Sequence, residues 1–370
     1  MQLSSTLRHD KRTESLARAG SSAFADSIDE PRRENGRPPV LVFDALAKSY
    51  GKTVVVDHLS LTLKRSEVFG FLGPNGAGKT STIRMICGLA RPTGGSGTLL
   101  GFDIWRDRAE IRSHLGYVPQ QFRLYPDLTV LENLWFFASA YGVQRRAANC
   151  RIQTLISQLG LFSFGHIRAG DLSDGLKQLA AIVCAILHKP ALLVLDEPTS
   201  SLDPCHRQTV WNLLYQLSRE GTTIFVTTHY MEEADRCTKV GLLYGGKLLA
   251  FGSPSQLKER LADHILDFDV DPIIPAHAAI QELPGVFGTR VRSGKIRLFA
   301  RDPGRLATSL REHWPFPGLT WRGYEFGNPD MDDVFEALIS TEGATGVQAA
   351  DVRMERSGAP GVNIYIDPAL

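Results

Sequence analysis

One stretch of the sequence, residues 73–80 (Gly-Pro-Asn-Gly-Ala-Gly-Lys-Thr), limits the folds open to this chain more than any other. It matches the pattern G-x-x-x-x-G-K-[ST], in which backbone N–H groups close around phosphate oxygens at a helix start. The apolar run Val68–Leu72 before it predicts a buried strand, and residues 81–86 after it predict a helix. Lys79 is expected to reach the β- and γ-phosphates of a nucleotide, and Thr80 to offer its hydroxyl to Mg²⁺. The residues of this loop expected to bind the nucleotide are Gly73, Pro74, Asn75, Gly76, Ala77, Gly78, Lys79, Thr80 and Ser81.

The composition excludes several classes of protein. A net charge of +1 gives no reason to expect a nucleic-acid partner. The five cysteines are scattered and form no C-x-x-C pair, which favours a reducing compartment and argues against a zinc or redox motif. No apolar run approaches the ~18 residues that a membrane span requires, and the first residues lack a signal-peptide core. Any role at a membrane is therefore expected to depend on a separate partner.

The length of 370 residues suggests about two domains. The class is α/β, and the order of strands and helices after residue 263 is β-α-β-β-α-β-α, which predicts a ferredoxin-like or related α+β domain. Residues 48–51 are expected to form a turn, and the glycine-rich residues 91–97 a loop. The expected segments are a disordered tail at 1–38, a nucleotide-binding domain at 39–262 with a helical subdomain at about 125–188, a small accessory domain at 263–341 and an unstructured tail at 342–370.

Two further strands are expected to carry polar residues at their ends. Residues 191–195 form a continuous apolar run, typical of a central parallel strand, and Asp196 and Glu197 follow it. His229 follows the next buried strand at residues 223–227. Asp196 is suited to hold Mg²⁺, whereas Glu197 can orient and polarise a water molecule, which favours hydrolysis over transfer. Two acids at a strand end can also be an ordinary solvated loop start, but that explains neither the phosphate loop nor His229.

In their order and spacing, these motifs resemble the ATP-binding subunit of an ABC transporter from about Tyr50 to Gly252. The resemblance implies a P-loop NTPase core with an inserted helical subdomain and an antiparallel β region, and it implies ATP and Mg²⁺ as ligands. It also implies roles for single residues. Those roles are adenine stacking by Tyr50, contact with Mg²⁺ and water by Gln120, catalysis by Glu197, a D-loop contact across the dimer interface by Asp203 and a γ-phosphate contact by His229.

The signature sequence of the family departs from its usual form here. The family has Leu-Ser-Gly-Gly-Gln, whereas residues 172–176 read Leu-Ser-Asp-Gly-Leu, and Leu179 stands where the family usually has arginine. In the family this segment caps the γ-phosphate held by the other subunit, and Ser173 and Gly175 can still donate. Asp174 would be costly near a polyanion, but an acid in the first turn of a helix is favourable by ~0.3–1 kcal/mol. Both readings stay open, and the first implies an ATP-binding regulatory subunit with weak hydrolysis.

Residues 227–235 resemble the ABC-2 type, drug-exporter and YbhF-like branch of the family. This branch often carries a C-terminal accessory domain that ends in a helix like residues 331–336. The implied partners are an ABC-2 type transmembrane permease, docked near residues 122–126, and a second ATPase subunit, either an identical copy or a paralogue. The implied location is the cytoplasmic face of the inner membrane. A non-transport ABC ATPase acting on ribosomes or DNA is the rival reading, but those relatives usually carry two ATPase halves or basic insertions.

Overall fold

The computed structural model describes residues 38–121, 124–200 and 202–343. Of the expected tails, residues 1–37 and 344–370 lie outside the described residues, as do two positions, 122 and 123, of the expected docking segment. The described residues from Pro39 onward belong to one compact unit. None of the helices in the described ranges is both long and apolar enough to cross a bilayer.

The strands follow the sequence expectation closely in the second half of the chain and less closely in the first. In chain order they are β1 (Leu41–Tyr50), β2 (Thr53–Leu63), β3 (Val68–Leu72), β4 (Gly94–Leu99), β5 (Phe102–Asp103), β6 (Leu115–Val118), β7 (Leu192–Asp196), β8 (Thr223–Thr228), β9 (Lys239–Tyr244), β10 (Lys247–Gly252), β11 (Ile265–Asp271), β12 (Val286–Arg292), β13 (Lys295–Ala300) and β14 (Thr320–Phe326).

The helices lie between these strands, and short 3-10 turns occur at Phe162–Phe164, Ala169–Asp171 and Met231–Arg236. In chain order the α-helices are α1 (Lys79–Ile86), α2 (Arg108–His114), α3 (Val130–Ala140), α4 (Arg145–Gln158), α5 (Asp174–Ile186), α6 (Pro204–Arg219), α7 (Pro254–Ala262), α8 (Ile273–Gln281), α9 (Pro303–Glu312) and α10 (Met331–Gly343).

The central sheet has the strand order β10-β9-β3-β8-β7-β6. From β9 to β6 the neighbouring strands run parallel, and β10 closes the sheet with an antiparallel hairpin. Every residue of β3 and β7 is buried, which explains why both sequences are uninterrupted apolar runs. Because the strands are parallel, the carboxyl ends of β3, β6, β7 and β8 meet along one edge. Ligands of open α/β sheets bind at that kind of edge.

A second sheet, in the order β2-β1-β4-β5, is antiparallel and packs around α1. It corrects two expectations. The turn expected at residues 48–51 is wrong for its first part, because β1 stays paired with β2 as far as Tyr50. The loop expected at residues 91–97 is wrong from Gly94 onward, because β4 pairs with β1 from that residue. Gly97 is required here by packing: a Cβ atom would lie 2.8 Å from Ile104 and 3.0 Å from Phe43.

The helical subdomain consists of α3, α4 and α5, which share a buried apolar cluster with the central sheet. Thr129 begins α3 with a capping box, in which its hydroxyl accepts from the N–H of Glu132 and the Glu132 carboxylate accepts from the N–H of Thr129. Between α3 and α4 the chain turns at Gly142, which has a φ of 69°. This part of the expected helical subdomain therefore consists of two helices, α3 and α4.

The third sheet has the order β12-β13-β11-β14 and is antiparallel throughout, with α8 and α9 packed on it. A buried ionic cluster joins it to α10, since the guanidinium of Arg297 contacts the carboxylates of Asp267 and Asp333. Met331, Val334 and Ala337 of α10 lie in the large apolar cluster that includes part of the 231–236 turn. α10 continues to Gly343, two residues into the tail that was expected to start at 342.

Candidate nucleotide-binding site

The loop between β3 and α1 is shaped by its glycines. A Cβ atom on Gly73 would lie 2.2 Å from the carbonyl oxygen of Leu243, and one on Gly78 would lie 2.5 Å from that of Val55. Gly78 also has a φ of 108°, and Gly76 a φ of 83°, both in the region that side chains disfavour. The backbone at Gly73 and Gly78 therefore passes too close to its neighbours for either position to carry a side chain.

Lys79 points back into the loop it follows. Its Nζ atom donates to the carbonyl oxygens of Gly73 at 2.7 Å and Pro74 at 3.1 Å, and it lies 3.4 Å from Oε1 of Glu197. The side chain is only 5% exposed. An ammonium group held by carbonyl oxygens inside a curved loop is positioned to meet the oxygens of a bound phosphate.

Asp196 is held by two hydroxyl groups. Thr80 Oγ1 donates to its Oδ2 at 3.0 Å, and Thr227 Oγ1 donates to its Oδ1 at 2.7 Å, while the residue itself is buried. These contacts join α1, β7 and β8 at the carboxyl edge of the sheet. The Thr80 hydroxyl, the Asp196 carboxylate and the side-chain oxygen of Gln120 are oxygen ligands of the kind Mg²⁺ prefers. The residues present therefore fit a magnesium site.

The carboxylate of Glu197 is the meeting point of three other predicted site residues. Besides Lys79, Gln120 Nε2 donates to its Oε2 at 3.2 Å, and His229 Nδ1 lies 3.3 Å from the same oxygen without making a hydrogen bond in the described structure. The backbone of Glu197 has a φ of 50°, which is uncommon for a residue with a side chain. Its N–H donates to both oxygen atoms of Thr227, at 3.0 and 3.2 Å, and this pair of bonds supports the unusual conformation.

The remaining loop residues lie at the rim or close behind it. Asn75 is exposed and Pro74 half-buried, whereas Ala77 is buried and Ser81 half-buried in the first turn of α1. Tyr50 lies at the end of β1 with 47% of its surface exposed, and Lys48 Nζ is 4.8 Å from the centre of its ring. An exposed ring at this position is available for stacking on a flat ligand.

The predicted residues of the signature and D-loop lie together, at the starts of α5 and α6. Ser173 caps α5 and accepts from the N–H of Leu176, and Gly175 faces the ring of His206 on α6. Asp203 caps α6 and hydrogen-bonds His206, and this bond holds the pKa of Asp203 below its usual range. In the described part of the chain, the contacts of Ser173 and Gly175 are with α5 and α6 rather than with the phosphate loop.

Asp174 lies in the first turn of α5. Its side chain is 82% exposed, and the nearest cation is Lys177 Nζ at 3.8 Å. Within a single chain, Asp174 is therefore a solvated residue in the first turn of α5 with a cation beside it. Leu179, where the family usually has arginine, is buried in the core of the helical subdomain.

Thr227 was not foreseen as a site residue. It connects the Asp196 carboxylate to the backbone of Glu197, because its hydroxyl donates to the first and accepts from the second. The sequence did contain a signal: two threonines, Thr227 and Thr228, end a strand that is otherwise apolar after its first residue. Polar residues at the end of a buried parallel strand are expected to face the ligand edge of the sheet.

Comparison with known proteins gives one consistent result. A family model described as "ABC transporter" matches residues 56–200. The chain is 37% identical over 301 residues to the linearmycin resistance ATP-binding protein LnrL of Bacillus subtilis, covering 80% of this chain and 97% of that protein. It is 40% identical over 305 residues to the Nod factor export ATP-binding protein I of Cupriavidus pinatubonensis, covering 82% and 91%.

A third relative is longer than this chain. The probable multidrug ABC transporter ATP-binding protein YbhF of Escherichia coli is 43% identical over 230 residues, which cover 62% of this chain and only 40% of that protein.

Solved structures agree with these similarities. A structure of the ATP-binding subunit of an ABC transporter is 29% identical, with a TM-score of 0.57, over 60% of this chain and 92% of that one. The dimeric, post-hydrolysis structure of the ATP-binding cassette MJ0796 bound to ADP and phosphate is 25% identical, with a TM-score of 0.53, over 58% and 98%.

Proposed function

Because the chain belongs to the ATP-binding proteins of ABC transporters, an ATPase family, we propose that it binds and hydrolyses ATP to power an exporter. The proposal extends to an ABC-2 type permease as the membrane partner and to dimerisation driven by ATP. Relatives named for linearmycin resistance, Nod factor export and multidrug transport support export as the direction of movement.

The observation that carries the proposal is the arrangement around Glu197. Its carboxylate lies at the carboxyl edge of the sheet, within 3.4 Å of Lys79 and close to Gln120 and His229. A carboxylate beside the place where the γ-phosphate would lie can orient a water molecule and accept its proton. Lys79 would then stabilise the charge that develops on the phosphate oxygens, and His229 would contact the same group from the side of β8.

Magnesium would be held by Thr80 and Asp196, with Gln120 completing the set of protein ligands. When bound, the cation would neutralise charge on the β- and γ-phosphates. The two hydroxyl bonds to Asp196 fix the orientation of its carboxylate. Gln120 follows β6 and precedes the helical subdomain, so it is placed to pass changes at the nucleotide to a partner docked nearby.

The position of the signature supports the proposed dimerisation. Ser173, Gly175 and Asp203 lie together at the starts of α5 and α6, and their contacts in the described structure do not include the phosphate loop of the same chain. We propose that two ATPase subunits close head-to-tail, so that these residues of one copy meet the nucleotide held by the other. ATP would stabilise the closed state because it contacts both copies there.

An exposed aromatic patch supports docking of a membrane partner beside Gln120. Tyr125 is 48% exposed, and its ring contacts the half-exposed ring of Phe136 at 4.8 Å between centroids. The Tyr125 backbone is fixed by the buried side chain of Asn133, which accepts from its N–H and donates to its carbonyl oxygen. An exposed aromatic pair of this kind suits a protein interface. We place the chain at the cytoplasmic face of the inner membrane, with residues 263–341 as its accessory domain.

The direct test is Glu197→Gln in the full chain. The amide keeps the size of the side chain but cannot accept a proton, so we expect ATP turnover to fall at least about 100-fold while ATP still binds. Light scattering at saturating Mg-ATP is expected to find the variant as a dimer. Unchanged turnover would refute the role of Glu197, and a monomer would refute closure by this chain alone.

A second candidate, a regulatory subunit that binds ATP but hydrolyses it weakly, rests on Asp174 and Leu176. Against it stands Lys177, whose Nζ lies 3.8 Å from the Asp174 carboxylate and would offset part of its charge near a phosphate. ATP turnover by the unaltered chain together with its permease separates the hydrolysing subunit from the regulatory one. A regulatory subunit would show no more turnover than the Glu197→Gln variant.

A further inference from the structure

Glu233, four residues after His229, is buried at a position where its charge has no evident structural purpose. Glu233 is 1% exposed and lies in the 3-10 turn Met231–Arg236. A carboxylate is rarely buried unless its contacts compensate for the lost hydration. Its contacts therefore indicate what keeps it there.

The side chain of Glu233 connects two other segments. Its Oε1 accepts from Thr199 Oγ1 at 2.8 Å and from Trp211 Nε1 at 3.2 Å. Thr199 lies two residues after Glu197, in the loop that carries the catalytic carboxylate. Trp211 is fully buried on α6, the helix that starts at the D-loop residue Asp203.

The backbone of Glu233 closes the turn that follows His229. Its N–H donates to the carbonyl oxygen of Tyr230 at 3.1 Å, and its own carbonyl oxygen accepts from Cys237 Sγ at 3.6 Å. One residue thus holds the segment after the histidine by its main chain and the loop after Glu197 by its side chain.

The cluster around Glu233 is not fully paired. Oε2 of Glu233 and Nε of Arg207 are both buried without a hydrogen-bond partner in the described structure, and Nε lies 4.0 Å from Oε1. Arg207 also stacks its guanidinium 5.0 Å from the centre of the Tyr230 ring. Clusters that serve stability alone usually satisfy such atoms.

We propose that Glu233 is a positioning residue, which fixes the distance between Glu197 and His229 by holding their two loops to each other and to α6. The inference rests on the proposed ATPase function. Glu197 has an unusual φ of 50°, and such a conformation persists only where the surroundings hold it in place. The hydrogen bonds of the Glu233 side chain are with Thr199 and Trp211, neither of which belongs to the phosphate loop, so we expect its loss to affect positioning for hydrolysis more than binding of ATP.

The experiment measures kcat, KM for ATP and melting temperature in the full chain. Glu233→Ala removes the side-chain hydrogen bonds that link the two loops and α6. We expect kcat to fall about tenfold or more, because small misplacements of reacting groups are costly. KM is expected to change less than about threefold, since Lys79 and Thr80 are untouched. Glu233→Gln keeps an acceptor for Thr199 and Trp211 and should restore most of kcat. Glu259→Ala on α7 is the control, because that glutamate is exposed and lies outside the Glu233 cluster, and it should behave as the unaltered chain.

Thr199→Val removes the hydroxyl that donates to Glu233, and we expect it to disturb folding less than Glu233→Ala does. It removes one hydroxyl donor, so we expect kcat to fall about fivefold. In the double variant with Glu233→Ala the two effects should not add, because they remove the same hydrogen bond.

The outcomes distinguish failure of the proposed ATPase function from failure of the positioning role of Glu233. An unaltered chain without turnover would refute the proposed function. An active chain in which Glu233→Ala keeps its kcat, raises KM in parallel with the loss of kcat, or is not rescued by glutamine would refute the positioning role alone. If Glu233→Ala does not fold, the other two variants decide. The positioning role is supported if Glu233→Gln has a normal kcat and Thr199→Val has a lowered kcat. Normal kcat in both variants refutes the role.

Discussion

Replacing Thr227 with valine tests whether its hydroxyl organises the end of the central sheet. The variant keeps nearly the same volume, so no cavity term is expected and the lost hydrogen bonds dominate. Oδ1 of Asp196 would lose the 2.7 Å bond from Thr227 and remain buried, since Asp196 is 2% exposed. A hydrogen bond to a charged group contributes about 1.5–3 kcal/mol.

The second bond of the Thr227 hydroxyl adds little to this loss. The N–H of Glu197 donates to it at 3.0 Å, but the same N–H also donates to the carbonyl oxygen of residue 227 at 3.2 Å, which valine retains. We therefore expect a loss of about 2 kcal/mol in the free energy of unfolding. At about 2–4 °C per kcal/mol, the melting temperature should fall by roughly 4–8 °C.

Thermal denaturation of the full chain without nucleotide measures the effect, and Thr227→Ser is its control. Serine keeps the hydroxyl and loses only a methyl group, so we expect it to retain most of the stability. A valine variant that melts within 1 °C of the unaltered chain, or a serine variant as unstable as valine, would refute the hydrogen-bond argument.

Three further changes probe the binding site, the signature and the subdomain. Lys79→Ala should weaken ATP binding about 30-fold or more in titration calorimetry, since charge-assisted bonds to phosphate are lost, and normal affinity would contradict the phosphate-loop assignment. Asp174→Gly should change ATP turnover less than about threefold, because Lys177 Nζ lies 3.8 Å from the carboxylate and offsets its charge, whereas a tenfold rise would mean that the carboxylate repels the phosphate. Burial lowers the pKa of His188 below its usual value near 6.5, so the folded chain should lose stability as the pH falls below about 6.5 towards the folded pKa. Urea midpoints between pH 7 and pH 5 should fall less for His188→Gln, and an equal fall would exclude His188 as a source of acid instability.

The local parts of the fold could be predicted from the sequence because their signals lie in adjacent residues. The run Val68–Leu72, the glycines after it and the helix start at Lys79 form one strand, loop and helix with little help from the rest of the chain. The same holds for β7, whose five buried residues read as a central strand. In these segments the backbone conformation follows from burial pattern and glycine position alone.

The errors lie where distant pairing decides the conformation. Gly94–Leu99 contains three glycines and reads as a loop, yet it is a strand because β1 supplies its hydrogen-bond partners. The positions of Thr227 and Glu233 could not be derived in the same way. Their significance depends on which loops meet after folding, and a glutamate after a strand normally indicates a solvated turn.

The topology explains why one chain holds only half of the proposed reaction site. The carboxyl ends of β3, β6, β7 and β8 lie side by side, so the groups that bind phosphate and activate water converge through strand order alone. The capping groups Ser173 and Gly175 instead begin α5, where Gly175 faces His206 of α6. In the proposed dimer, the helix that starts at Asp203 therefore has two tasks: it contacts the partner copy at its start and anchors Glu233 through Trp211 further along. Closure of the dimer would then act on the loop of Glu197 through that helix.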